Sequence, residues 1–278
     1  MVKISIVQGR LSSMVGNRYQ YFPIHAWREE FKLASQIGFD GIEWVISDFS
    51  NPLFDEISIN QIIELSSETG VEISSISLDV LMYNPIHKLP WDDVAWLFSG
   101  ISNAVEKLGV SRVSIPIEEN SGIRNVEDAE QVLLILSRVI NEFGESMTSV
   151  CIETDLSVRN VYNLLNEPKL SEMGVLLDIG NAAANGYSIE EYFNLLSDKI
   201  YGVHIKDRGP LFIPNVPYGD GIAEIDYFLN HCSELPNLTS LTLQSYRSPD
   251  KYIENAKTAF IYVKNILNNG WFFNKNIR

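Results

Sequence analysis

The sequence predicts a single (β/α)8 TIM barrel, and three observations carry that prediction. Short apolar runs alternate with longer segments of helical period from one end of the 278-residue chain to the other, giving eight pairs. Most of the short runs are wholly apolar, as strands buried on both faces are. No Pro/Gly/Ser-rich linker or shift of composition interrupts the series, so residues 1–278 read as one domain of ordinary barrel size. A doubly wound sheet is the competing arrangement. Against it, the first run is followed by Gln8-Gly9-Arg10-Leu11 instead of a G-x-G-x-x-G turn, and no G-x-x-x-x-G-K-[ST] occurs.

In chain order, the strand over 3–7 is followed by a helix over 25–37, which Gly38 stops where a left-handed residue is wanted. The second pair is 41–45 with 59–69, stopped by Gly70. The third is 72–78 with 91–108, where Asp92 and Asp93 put negative charge in the first turn and Gly109 follows the last. The remaining pairs are 112–117 with 126–143, 149–153 with 158–165, 174–178 with 189–196, 201–205 with 225–232, and 240–244 with 250–267. No residue-level motif recurs through them, so the repeat is one of structure alone.

Lys and Arg number 21 against 36 Asp and Glu, a net charge of −15, and this balance repels phosphate backbones, which argues against a nucleic-acid partner. Cys151 and Cys232 form neither a CxxC pair nor a disulfide framework, as suits a reducing compartment. The start Met1-Val2-Lys3-Ile4-Ser5-Ile6-Val7-Gln8 lacks the features of a signal peptide. No apolar run approaches the ~20 residues that span a bilayer. A soluble cytoplasmic protein is the expectation.

In such a barrel, functional groups stand at the C-terminal ends of the strands. Those positions hold Gln8 and Arg10, Glu43, Asp79, Glu118 and Glu119, Glu153, Asp178 and Asn181, His204 with Lys206, Asp207 and Arg208, and Gln244 with Arg247. Glu153, Asp178 and His204 close three successive strands. A divalent ion would offset the repulsion of two carboxylates held together, and one imidazole among oxygens suits Mn²⁺, Mg²⁺ or Co²⁺ better than structural Zn²⁺. Helix N-caps and rim salt bridges are the alternative roles for such carboxylates. His25 and His87 lie in connections that reach the rim, whereas His231 falls on an outer helix.

The blocks Gly41-Ile42-Glu43, Cys151-Ile152-Glu153-Thr154, Leu177-Asp178-Ile179-Gly180-Asn181, Gly202-Val203-His204-Ile205-Lys206-Asp207-Arg208 and Asn215-Val216-Pro217-Tyr218-Gly219-Asp220-Gly221 together resemble the xylose isomerase-like TIM-barrel superfamily. This is the sugar (phosphate) isomerase/epimerase group, related also to the family-2 apurinic endonucleases, and the resemblance runs over nearly the whole chain. It implies one divalent ion (Mn, Mg, Co or Zn) held by Glu, Asp, His and a second Glu, of which the first three fall on Glu153, Asp178 and His204. The fourth falls on Gln244, which offers a carbonyl oxygen but neither charge nor a proton-accepting group. Of the two Glu that ketose 3-epimerases use as paired acid and base, only Glu153 remains; Glu118, Glu119 or Asp207 would have to supply the second. Asn181 stands where the family often has His. The histidine-rich, multi-zinc endonuclease branch fits poorly with four His and an acidic chain.

The expected activity is a metal-dependent isomerase or epimerase acting on a small sugar or sugar phosphate through an enediol(ate), with Glu153 and Asp178 catalytic. Arg10, Glu43, Glu118, Asn181, Arg208 and Arg247 are the expected substrate-binding groups. The three arginines would form an anion site near the strands that often hold phosphate, unless they pair with rim acids. Aromatics Tyr21, Phe22, Trp27, Trp44, Tyr83 and Tyr218 lie in or beside the upper loops, where they stack on sugar or simply pack. A dehydratase or lyase on the same scaffold needs only one base; a non-catalytic sugar-binding barrel needs none. The tail Gly270-Trp271-Phe272-Phe273 would dock on a partner subunit or cap its own barrel, which leaves homo-oligomer and monomer both open.

Overall fold

In the computed structural model, which describes residues 2–16, 18–146, 149–210 and 215–274, the eight apolar runs close into one parallel barrel. The strands are β1 (Lys3–Val7), β2 (Gly41–Val45), β3 (Glu72–Ser77), β4 (Val113–Ile117), β5 (Val150–Thr154), β6 (Gly174–Asp178), β7 (Ile200–Ile205), a two-residue hairpin of β8 (Asp207–Arg208) and β9 (Asn215–Val216), and β10 (Ser240–Leu243). Around the barrel the order is β1-β2-β3-β4-β5-β6-β7-β10 and back to β1. The helices are α1 (Trp27–Ile37), α2 (Glu56–Thr69), α3 (Val80–Tyr83), α4 (Trp91–Leu108), α5 (Val126–Phe143), α6 (Val158–Leu165), α7 (Ile179–Ala184), α8 (Ile189–Leu196), α9 (Ile225–His231) and α10 (Tyr252–Asn274). Among the described residues no helix is long and apolar enough to cross a membrane.

Local chemistry sets most boundaries. Gly38, Gly70 and Gly109 stop α1, α2 and α4 with φ of 106°, 73° and 64°, a left-handed geometry that a side chain strains. Helix α2 begins at Glu56, ahead of the apolar stripe at Ile59, because the Asp55 carboxylate caps it by accepting the Ser58 N–H at 2.8 Å. Helix α1 begins at Trp27 instead of His25, after an Ala26 cap with no side-chain bond. Helix α10 runs past Leu267 through Gly270 to Asn274; the side chains of residues 269–274, including the aromatic tail expected to dock, lie outside the described residues.

The barrel interior is apolar at its walls and polar at its centre. Arg112, 1% exposed, donates through Nη2 to Glu43 Oε2 (3.1 Å), Ser75 Oγ (3.1 Å) and Thr242 Oγ1 (3.3 Å). A Cβ at position 202 would collide with this guanidinium, so Gly202 on β7 makes room for it. The pair therefore spans the barrel under its mouth, where Glu43 carries the next connection upward.

Candidate functional site

Register places the site. Strands β5, β6 and β7 are neighbours, and Asp178 lies directly opposite His204 across β6 and β7. Glu153 comes from the last turn of the pleat in β5, and Gln244 follows β10, its N–H bonded to Ile205 O at 2.9 Å. Side chains from four strand ends thus meet at one mouth. A cavity of about 380 Å³ opens there, a size suited to one small ligand.

One potential ligand atom from each of Glu153, Asp178 and His204 lies within 4.8 Å of the other two, and all three residues are buried. Asp178 and His204 are each held by a neighbour that fixes the useful atom. Asp178 caps α7 by accepting the Asn181 N–H on Oδ1 at 2.8 Å, leaving Oδ2 to face His204 Nδ1. This carboxylate combines the capping role with the convergent one. Lys206 Nζ stands 2.6 Å from the same Oδ2. His204 Nε2 contacts Glu43 Oε1 at 2.6 Å, and Glu43 is anchored from behind by Arg112 and by Ser75 Oγ at 2.7 Å. With the Nε2 proton donated to Glu43, Nδ1 is the ring nitrogen that faces Glu153 Oε1 at 3.4 Å and Asp178 Oδ2 at 3.8 Å.

Electrostatics at the mouth are severe. Burial alone would push the Glu43 carboxyl up, but His204 and Arg112 outweigh it and bring it down to about 2. Burial would discharge His204, yet Glu43 and Glu153 hold its imidazolium well above the ordinary range. Carboxylates that favour a proton on this ring favour any cation there. Glu118 is pushed well above the usual carboxylate range by burial and then by Glu153; Asp79 rises to about 6, chiefly by burial.

Whether these residues fit a metal is decided by their unpaired atoms. His204 Nδ1 and Gln244 Oε1 are buried without a hydrogen-bond partner; the oxygen is a lone-pair donor, and the nitrogen becomes one when an arriving cation displaces its proton. The Gln244 amide is oriented by its Nε2, which donates to Gln20 Oε1 at 2.6 Å, so its oxygen is the atom left over. With two carboxylates these make a three-oxygen, one-nitrogen donor set, which fits a divalent ion.

Arg10, Glu118, Asn181 and Arg208 line the cavity together with Glu153 and Gln244. Asn181 joins two of them, donating from Nδ2 to Glu118 Oε2 (3.3 Å) and accepting Arg208 Nη1 on Oδ1 (2.9 Å). Two expected substrate contacts are placed elsewhere. Glu43 is fully buried beneath His204 and does not line the cavity, because its side chain points into the barrel centre, where Arg112 claims it. Arg247 turns away from the mouth and donates to Tyr19 O (2.7 Å) and Ser12 O (2.8 Å), pinning the loop after β1. Tyr21 and Tyr83 line the cavity, but Phe22, Trp27 and Trp44 are core: Trp44 meets Phe22 at 5.0 Å and Trp27 at 5.3 Å between ring centroids. Tyr218 donates to Ile205 O and packs on Tyr262. His25 is exposed, His87 lies 3.7 Å from Asp128, and His231 stacks on Tyr227; none lines the cavity.

Lys206, Tyr19 and Gln20 line the cavity without having been singled out as site residues. Lys206 stood inside the His-Ile-Lys-Asp-Arg block and was recognisable there as a strand-end cation beside Arg208. Gln20 and Tyr19 sit well beyond the end of β1 at Val7, and only the folded loop brings them back.

A model of the xylose isomerase-like TIM-barrel family matches residues 31–254. The chain belongs to that family. No curated protein matches it significantly in sequence. Solved structures of the same fold include an IolI protein with a bound zinc atom (17% identity, TM-score 0.69, covering 96% of this chain and 97% of that one). Others are the 3-keto-D-glucoside 4-epimerase YcjR of E. coli (13%, 0.69, 95% and 100%) and the probable 3-DHS dehydratase AsbF of Bacillus anthracis (14%, 0.70, 95% and 99%).

Proposed function

We propose that this protein is a divalent-metal-dependent isomerase or epimerase of a small sugar or sugar derivative, working through an enediolate. The observation that carries the reading is the convergence of Glu153, Asp178 and His204 beside a cavity that Glu153 lines together with Gln244, whose Oε1 is unpaired. Those four residues would hold the ion, which when bound polarises neighbouring carbonyl and hydroxyl oxygens and acidifies the C–H beside the carbonyl.

The remaining chemistry belongs to the chain. Glu153, facing His204 through Oε1, takes the C–H proton on its other oxygen and returns it. Glu118, whose carboxyl burial and Glu153 make a weaker acid than usual, supplies the acid that Gln244 cannot, since a carboxamide neither gives nor takes a proton at neutral pH. Asn181 orients Glu118 from one side and Arg208 from the other. Glu43 holds the His204 ring so that Nδ1 points at the mouth.

Incubation with candidate ketoses and aldoses in D₂O tests this: the expected result is metal-dependent deuterium incorporation at a carbon beside the carbonyl. Glu153→Gln should lower that rate by about 10²- to 10⁴-fold. A fall under about tenfold would remove Glu153 from the proton transfer. The one-carboxylate consequence of Gln244 favours a dehydratase as the second reading, and its product would announce itself by ultraviolet absorption of a new conjugated bond.

A further inference from the structure

We propose that the ligand of this cavity carries an anionic group, a carboxylate or a phosphate, seated on the Arg10 guanidinium. The inference rests on the sugar-site reading above and adds the charge of the molecule. Arg10 is 1% exposed, lines the cavity and forms no ion pair among the described residues. Its partners are neutral: Nη1 donates to Tyr19 O at 3.1 Å, Nη2 to Gln20 Oε1 at 2.8 Å, and the ring of Tyr19 lies 4.9 Å away. Its Nε is buried with no partner at all.

A buried charge without a counter-charge is costly, so something must compensate it when the protein works. The same chain shows the usual solution a short distance below, where buried Arg112 is paired with Glu43. At Arg10 that solution is blocked by construction. Gln20 stands between Arg10 and Asp79, accepting from the guanidinium and donating to Asp79 Oδ2 at 2.7 Å. Glu30 is occupied with the backbone amides of Gly9 and Leu11. A guanidinium kept clear of both nearby carboxylates is one reserved for a carboxylate or phosphate that arrives from outside.

Placement narrows the ligand further. Gln20 Oε1 accepts from Gln244 Nε2 as well as from Arg10, so the guanidinium and the Gln244 carboxamide share one neighbour. The anionic group therefore sits within a few bonds of the oxygens that approach Gln244. Lys206, whose charge acts on Glu118, is engaged by Asp178 Oδ2 at 2.6 Å, so the charged end is directed toward Arg10 and the hydroxylated end toward Glu118 and Glu119, which line the same cavity.

Calorimetric titration of the whole protein with acetate, inorganic phosphate and neutral glycerol at constant ionic strength tests this. Saturable binding of acetate or phosphate, with none of glycerol, is expected; which anion binds more tightly identifies carboxylate or phosphate. Arg10→Met should weaken that binding at least about tenfold while melting no lower than the wild type, since it removes an unpaired charge. Arg10→Lys keeps the charge without the fork, so weakened binding supports the proposal should Arg10→Met not fold. Absence of saturable anion binding, or binding unchanged in the folded variants, overturns it. Metal uptake measured on the same samples separates the two readings: lost metal binding with intact anion binding removes the isomerase assignment alone.

Discussion

Glu30 reaches from α1 into the first loop and accepts the N–H groups of Gly9 and Leu11, at 3.0 and 3.1 Å, the two residues that flank Arg10. Burial raises its carboxyl from 4.5 to about 7. A folded-state value above the unfolded one means that the native protein binds the extra proton between those limits, so this group's stabilisation is full below about pH 4.5 and is lost as pH rises through 7. Glu30→Gln should flatten that part of the stability profile, read from urea unfolding at a series of pH values. Glu43→Gln makes the opposite kind of demonstration. It strands the Arg112 guanidinium in the barrel, at a cost of about 3–5 kcal/mol in urea unfolding. It also loosens His204, with Mn²⁺ affinity expected to fall about 10- to 100-fold in a metal titration. At this scale the sequence was informative wherever a polar residue closes a strand and points upward, as Asp178 and Glu153 do. It was uninformative about direction: the Glu43 side chain, from within β2, enters the barrel, and that of Arg247, beyond β10, turns back to a loop.

Among the elements, the connection after β7 shows most clearly what spacing conceals. The Asp207 carboxylate collects the backbone N–H groups of Gly219, Gly221 and Ala223 at 2.9–3.0 Å, tying the far end of the β8–β9 hairpin to its start. Asp207 is therefore a fastening for this loop; as a second base, the other role open to it, it would have to release these donors. Asp207→Ala should expose those three amides, and their hydrogen-exchange protection should fall while the amides of β5 and β6 keep theirs. The hairpin was invisible in sequence because two-residue strands have no period to detect. Helix stops were legible, since glycine at a left-handed cap is a chemical requirement; the start of α2 was misplaced because an Asp cap precedes the apolar stripe by a turn.

For the molecule as a whole, the proposed metal site would link ion binding to folding. An ion that binds only the native barrel stabilises it by about 2.7 kcal/mol at a hundred times its dissociation constant. Mn²⁺ should therefore raise the melting temperature of the wild type by several degrees and leave a Glu153→Gln, Asp178→Asn double variant unmoved, as differential scanning fluorimetry would show. A net charge of −15 helps to draw such cations in and to turn anions away, so an anion's entry depends on local cations such as Arg10. The closed barrel itself was fully legible, because eight apolar runs with helical partners leave the chain few other ways to bury them.

The contact between Phe22 and Trp44 has an optical consequence. Phe22 follows Tyr19, Gln20 and Tyr21 along the loop that reaches the mouth, while the Trp44 indole is fixed on β2 by its N–H bond to Asn51 Oδ1 at 2.8 Å. When an occupant of the cavity shifts that loop, the phenyl ring moves against an indole that stays still. Tryptophan emission then becomes a built-in gauge of the mouth, available without a label and before any product has been identified.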